Sequence, residues 1–387
     1  MRFKKALFLQ ETNSNPMKRI LYSLGLLVAT TLMIAATNIK NDDLKKNFIT
    51  GNPGIATINS MSFGPDGILF IGDSDNAAIY AVDTKDNVAS EKSEKIAIGE
   101  FDEKVAEALG TTVKNIRITD MAVNPVSKVA YFSVNTQNGT PVLLKLVGGK
   151  LENVSLTNLS YSKTDLTDAV AKDAKDRRGR ALRRWAISDM KYHNGKILVS
   201  GLSNKEFSSS FRSISFPFTN KEDFATLEIY HAAHGRYETY APIKTFDVTT
   251  IDNKEYLLAS YTCTPLVLFP INELTGGKHL KGRTIAELGA GNSPLDIIHF
   301  QKGNELTFYM SNTNRPVMRI DFSDITKFEG SLTEPVEEFG TATGLTYDNL
   351  TFVNVQQMDN LDAENVLILR RRNDGNLYLQ SRSKKWM

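Results

Sequence analysis

A short strand-like motif returns along this chain at an interval that few folds can accommodate. It reads Ser60-Met61-Ser62-Phe63 at its first occurrence and returns as Ile118-Thr119-Asp120-Met121 and Ile187-Ser188-Asp189-Met190. It returns again as Thr245-Phe246-Asp247-Val248 and Pro294-Leu295-Asp296-Ile297, with a weaker echo at Val353-Asn354-Val355. Counted from Met61, the steps are 60, 69, 58, 49 and 58 residues. A repeat of that length holds three or four strands but cannot bury both faces alone, so its copies must stack. Radial stacking gives a β-propeller, and six echoes give six blades, with a degenerate seventh as the other count. Two unrelated β-sandwiches are the competing arrangement. Closing the ring with strands from both ends of the chain would remove exposed sheet edges.

The first repeat shows why the period is made of strands. Ile58 to Phe63 is followed by Gly64-Pro65-Asp66-Gly67, then Ile68-Leu69-Phe70-Ile71-Gly72. The polar run Asp73-Ser74-Asp75-Asn76 precedes a third strand, Ala77 to Asp83. Asp-Gly supplies the positive φ that a tight turn requires. Asp73-Ser74-Asp75-Asn76 begins like a calcium loop but lacks the later glycine and glutamate, so a polar turn is expected. One segment breaks the pattern. Residues 163–185 read as a helical insertion between blades, rich in Lys172, Lys175, Arg177, Arg178, Arg180, Arg183 and Arg184, with Leu166, Val170, Ala174 and Leu182 as apolar positions. A second basic run, Arg370-Arg371-Arg372, leads into an Asn-Asp-Gly turn.

Phe63-Gly64-Pro65-Asp66-Gly67-Ile68-Leu69-Phe70-Ile71-Gly72-Asp73, with Ile79-Tyr80-Ala81-Val82-Asp83, resembles the NHL-type repeats of six-bladed propellers in exported bacterial proteins. The resemblance covers one repeat well and the others loosely. It implies an architecture and no activity, since that architecture hosts lactonases, dehydrogenases, peptide binders and scaffolds.

The address is read from the other end. Met17-Lys18-Arg19 precedes Ile20–Ala36, a stretch without a charged residue. A basic start, an apolar run and small closing residues describe a secretory signal peptide over 1–36, with Met17 as an alternative start. Cleavage near Ala35 or Ala36 would leave no membrane span; an uncleaved segment would act as an anchor. Residues 37–54 then read as a linker and 55–387 as the propeller. The formal charge of +2 becomes −2 once the +4 of residues 1–36 is removed, which argues against nucleic-acid binding. The single cysteine allows no internal disulfide. Export places the chain in the periplasm, on the cell surface or outside the cell, as a monomer.

Standard catalytic signatures are missing: there is no His-Glu-x-x-His, no Gly-x-Ser-x-Gly and no phosphate-binding Gly-x-x-x-x-Gly-Lys. Gly289-Ala290-Gly291-Asn292-Ser293-Pro294 reads as a turn, because Pro294 would block a following helix. The densest candidate site is Tyr230-His231-Ala232-Ala233-His234-Gly235-Arg236-Tyr237-Glu238, which holds two of the five histidines. Cys263 follows in Tyr261-Thr262-Cys263-Thr264-Pro265. Two imidazoles and a thiolate form a grouping for copper or zinc. Arg212, Arg236, Tyr237 and Glu238 are candidates for gripping a ligand, an anion foremost. The motif aspartates Asp120, Asp189, Asp247 and Asp296, with Asn354, are expected to ring the central channel, where they would hold a cation such as calcium or accept backbone N–H groups. Three functions follow: a propeller binding a protein, peptide or small molecule on one face; a lactonase-like hydrolase with a channel ion; and a copper or zinc redox protein built on His231, His234 and Cys263.

Overall fold

A computed structural model describes residues 41–387. The expected signal segment lies outside them. Asn41–Leu44 forms one helical turn. Among the described residues, no helix is long and apolar enough to cross a membrane. Asn47–Met387 folds into six antiparallel blades, numbered here by the chain order of their inner strands. Those inner strands are Ser60–Phe63, Ile116–Val123, Asp189–His193, Thr245–Ile251, Pro294–Lys302 and Val355–Asn360. Each carries all or the latter part of one copy of the recurring motif: the third begins at Asp189, with Ile187 and Ser188 just ahead of it, and the sixth at Val355, with Asn354 just ahead of it.

The strands are buried on both faces because a neighbouring blade covers each side. Ile68–Asp73, the second strand of blade one, is buried at all six positions. The turn before it places Asp66 at φ 55° and Gly67 at φ 67°. A Cβ on Gly67 would meet the Asp86 carbonyl oxygen at 2.4 Å, so this turn requires glycine for space as well as for φ. Asp73 closes the next turn by accepting from Ala56 N, Asn76 N and the Thr57 hydroxyl, as expected of a polar turn.

The blades do not follow one another around the ring in chain order. Ile58, Leu69 and Tyr80 of blade one pack with Ala122, Tyr131 and Leu143 of blade two. The opposite face of blade two packs Met121, Phe132 and Leu144 against Leu367, Leu369 and Leu379 of blade six. Blade one meets blade three instead, stacking Phe70 on Tyr192 at 5.5 Å. The order around the ring is therefore one, three, four, five, six, two. After Asp83 the chain passes to Ala97–Ile98, which pairs with the edge of blade six through Leu379↔Ile98. It returns through helix Phe101–Ala108 to build blade two. It then re-enters blade one as Leu159–Asp165 before starting blade three. Ring closure thus pairs the C-terminal strand Leu377–Ser383 with an internal segment. The segment expected to be a linker contributes Ile49–Gly51 as an edge strand of blade one.

The predicted helical insertion forms no helix beyond the 3-10 turn Arg183–Trp185. Asp176 explains why: its carboxylate accepts from the backbone N–H groups of Arg178 and Arg180, and Gly179 sits at φ 75°. That Asx-type turn competes with helical hydrogen bonding. The apolar positions expected to mark the helix instead pack locally, Val170 with Ala174, Leu182, Trp185 and Leu202. The basic residues are partly consumed as struts. Arg183 donates to the Val170 and Asp75 carbonyls, and Arg180 pairs with Asp176.

The inner strands put two rings of side chains into the channel. Toward the face where these strands begin, the upper face, six residues line one cavity of about 450 Å³. In ring order they are Ser60, Asp189, Thr245, Asp296, Gln357 and Asp120, so carboxylates alternate with neutral groups. Two positions further along each strand lies the lower ring of positions, Ser62, Lys191, Asp247, Ile298, Asp359 and Ala122, of which Lys191, Asp247, Ile298 and Asp359 line a second cavity while Ala122 packs into the core against blade one. The acids latch adjoining blades. Asp120 accepts from Met61 N, Asp189 from Phe246 N, Asp296 from Met358 N and Asp359 from Val123 N. Every one of these bonds steps the same way around the ring.

Candidate metal centre

The site begins with a hairpin. The fourth strand of blade three, Glu222–His231, ends at His231. A 3-10 turn, Ala232–His234, follows and is closed by Gly235 at φ 63°. The chain returns as Arg236–Glu238, paired His231↔Arg236 and Ile229↔Glu238. Both imidazoles now lie beside one carboxylate. His231 Nδ1 is 2.8 Å from Glu238 Oε2, and His234 Nδ1 is 2.8 Å from Glu238 Oε1. The two ring centroids are 4.0 Å apart. Because each Nδ1 faces the carboxylate, Nε2 is the nitrogen left to a ligand on either ring.

Blade four supplies the third group. Cys263 sits in the turn between Lys254–Ser260 and Pro265–Pro270, on the upper face, because this turn lies beside the start of its inner strand. Cys263 and the β-branched Thr264 adopt left-handed φ values of 69° and 60°. Such conformations cost energy for residues with a Cβ and persist only where surrounding contacts impose them. Here Cys263 N donates to the Asn292 carbonyl and the Thr264 hydroxyl to the Gly289 carbonyl. The Gly289–Pro294 segment is the turn expected, and two of its carbonyls brace the Cys263–Thr264 turn. A ring nitrogen of His231, a ring nitrogen of His234 and the Cys263 sulfur all lie within 4.8 Å of one another.

Glu287, at the end of the outer strand Arg283–Glu287, completes the surroundings. It is fully buried. Its Oε2 accepts from Ala233 N at 3.3 Å and lies 3.8 Å from His231 Nε2. Neither Glu287 Oε1 nor His231 Nε2 has a hydrogen-bond partner. Burial pushes the Glu287 carboxyl up to about 7, opposed by the backbone N–H groups of Ala233 and Ala232. Glu238 goes the other way. Burial raises it, but hydrogen bonds from His231, Tyr240 and Arg236 outweigh that and hold it down at about 2. An ionised carboxylate thus fixes the orientation of both imidazoles, the usual outer-shell arrangement around a ligating histidine.

The remaining sequence candidates divide. Arg236 and Tyr237 are on the rim. Arg236 donates to Glu238 at 2.9 Å and to the Tyr240 hydroxyl at 2.9 Å, while the exposed Tyr237 ring carries the Lys281 ammonium at 4.2 Å. Glu238 orients the histidines instead of gripping an anion. Arg212 lies away from the site and fully buried. It donates to the Ser210 hydroxyl and the Thr167 carbonyl, lies 3.5 Å from Glu222 and stacks over Phe224, which leaves it no freedom for a ligand. In the channel, Asp120, Asp189 and Asp296 share the upper ring, Asp247 belongs to the lower one, and Asn354 is exposed at φ 57° outside both. Thr245 and Gln357 hold the places expected for Asp247 and Asn354. Desolvation raises Asp120 to about 8 and Asp189 to about 6, and it raises Asp296 well above the usual carboxylate range.

Sequence reading missed Glu287, Lys191 and Asp359. Glu287 had no local signal, since it reaches the histidines only through the packing of blade four on blade three. Lys191 and Asp359 were accessible through the two-residue strand period.

No family model and no curated protein matches the chain. Solved structures do. Drosophila plexin A in complex with semaphorin 1b aligns at 8% identity and a TM-score of 0.38, covering 86% of each chain. The PQQ-bound aldose sugar dehydrogenase of Streptomyces coelicolor aligns at 10% identity and 0.33, covering 86% of this chain and 97% of that one. The GH43 endo-arabinanase of Bacillus licheniformis aligns at 12% and 0.35, covering 68% and 92%. These proteins include a receptor and enzymes, and at such scores none lends its activity to this chain.

Proposed function

We propose that this chain is an exported propeller with NHL-like repeats whose upper face binds a single transition metal ion, copper or zinc. His231, His234 and Cys263 are its ligands. One observation carries the reading: a buried imidazole whose Nε2 has no hydrogen-bond partner clusters with a second imidazole and a thiol, and one ionised carboxylate aligns both rings. Two nitrogens and a sulfur favour copper or zinc over calcium or magnesium, which prefer oxygen. The basic start and uncharged run at Lys18 to Ala36 support export. The exposed Arg236, Tyr237 and Tyr240 beside the centre make this rim the binding face for a ligand or partner.

The test is elemental analysis of protein purified without chelator or affinity histidines and then equilibrated with zinc or copper. About one ion per chain is expected, falling at least tenfold in His231→Ala and in Cys263→Ser. A wild-type protein that retains neither metal would overturn the reading.

A further inference from the structure

The opposite face of the ring carries a second cavity, of about 770 Å³, where the inner strands of blades three, four, five and six end. Its volume is within the range of small-molecule sites. Its floor is an ordered set of charged groups. Asp247 is 1% exposed. Its carboxylate accepts from Val248 N at 2.8 Å, pairs with the Lys191 ammonium at 2.7 Å and lies 2.7 Å from His299 Nδ1. Burial raises Asp247, but the Lys191 ammonium and the His299 hydrogen bond overcome it and hold the carboxyl at about 2. A histidine facing an ionised carboxylate through Nδ1 keeps its proton there when neutral, which leaves Nε2 as an acceptor. His299 is 40% exposed at its side chain and lines the cavity.

Two more polar atoms in the cavity wall lack partners. The Thr249 hydroxyl belongs to a residue only 3% exposed and makes no hydrogen bond. Asn360 donates its Nδ2 to the His299 carbonyl at 3.1 Å, while its Oδ1 is unsatisfied. Buried polar groups of this kind are normally hydrogen-bonded, so each marks a place for a bound polar atom. The charged groups are spoken for. Lys191 pairs with Asp247, His193 lies 2.8 Å from Glu255, and Glu305 accepts from Ser323 N. Asp359 accepts from Asn360 N and Val123 N, both at 2.7 Å. An anionic ligand would therefore find no unpaired cation, and the Glu305 and Asp359 carboxylates already accept backbone N–H groups, whereas a ligand rich in hydroxyl groups would find both donors and acceptors.

We propose that this lower mouth binds a neutral polyhydroxy molecule of sugar or cyclitol type, with His299 Nε2, the Thr249 hydroxyl and Asn360 Oδ1 holding its hydroxyl groups. The site is separate from the metal centre and stands on its own geometry.

Saturation-transfer NMR on the whole protein tests this, with arabinose, glucose and myo-inositol as probes and glucuronate and glucosamine as charged counterparts. At least one neutral probe is expected to receive saturation, equally in chelator-treated and metal-loaded protein. The signal should fall at least tenfold in His299→Ala and in Asn360→Ala, each checked for an unchanged circular dichroism spectrum. Thr249→Val, which keeps the shape and removes only the hydroxyl, provides a third reading if His299→Ala does not fold. No transfer to any neutral probe, a stronger signal from a charged one, or an undiminished signal in folded variants would overturn the proposal.

Discussion

The two faces of the ring place histidines beside carboxylates in different ways. On the upper face, one hairpin delivers His231, His234 and Glu238 within eight residues, and a single loop of the next blade adds Cys263. On the lower face, Lys191, Asp247, His299 and Asp359 come from four different blades. The upper cluster has a donor atom left over, the buried His231 Nε2, and a strained backbone beneath its thiol. In the lower cluster, Asp247 holds both Lys191 and His299, and the whole set ties blades together. A local hairpin can be adapted for a ligand without disturbing the ring. A group contributed once per blade carries both the ring and whatever binds there.

That contrast can be broken most easily from below. Lys191→Met would leave Asp247 facing His299 alone, with its charge buried. Removing one partner of a buried pair costs about 3–5 kcal/mol. Chemical denaturation should show a loss of that order, and a loss below about 1 kcal/mol would mean that the channel pair does not hold the blades. Above, Glu238→Gln should act on the metal instead. Losing the carboxylate behind the two histidines proposed as ligands is expected to weaken zinc binding by about 10–100-fold. Competition with a chromogenic chelator measures this, and unchanged affinity would remove Glu238 from the site.

Cys263→Asn separates function from strain in one substitution. Asparagine tolerates the left-handed conformation better than cysteine does. Metal binding should be lost while the unfolding free energy of the metal-free protein rises by up to about 1 kcal/mol. A fall instead would show that the backbone there is unstrained. The upper ring shows itself in the pH dependence of stability. Asp120 is raised above its unfolded value, so its contribution to stability is complete at low pH and is lost as pH rises toward about 8. The melting temperature should therefore decline between about pH 4 and 8, and Asp120→Asn should flatten that decline. Parallel curves for the two proteins would contradict the assignment.

The period was legible in the sequence because an inner strand must repeat once per blade. Six inner strands follow from the six echoes, and the Pro65-Asp66-Gly67 turn adopts the positive φ values it was expected to need. The spatial order was not legible. Blade two stands between blades six and one because a long connection detours to Ala97–Ile98, and nothing in the motif spacing records where a blade sits. The phase of the channel ring slipped for a related reason. Asp247 lies two residues beyond the position that Thr245 occupies, so it stays on the channel side but moves one tier down. The basic segment at 163–185 read as helical because its apolar residues fall at fourfold spacing, yet Asp176 and Gly179 turn the chain first. His231, His234 and Cys263 were found because their chemistry is rare in this chain. Glu287 was not, because only the packing of two blades brings it 3.8 Å from His231.

His231, His234 and Cys263 are proposed to share one ion. X-ray absorption at the metal edge, on protein loaded with one equivalent of zinc, tests it most directly. One sulfur at about 2.3 Å with imidazole nitrogens at about 2.0–2.1 Å is the shell expected of His231, His234 and Cys263. The sulfur shell should vanish in Cys263→Ser. A shell of oxygen and nitrogen alone in the wild type would contradict the account.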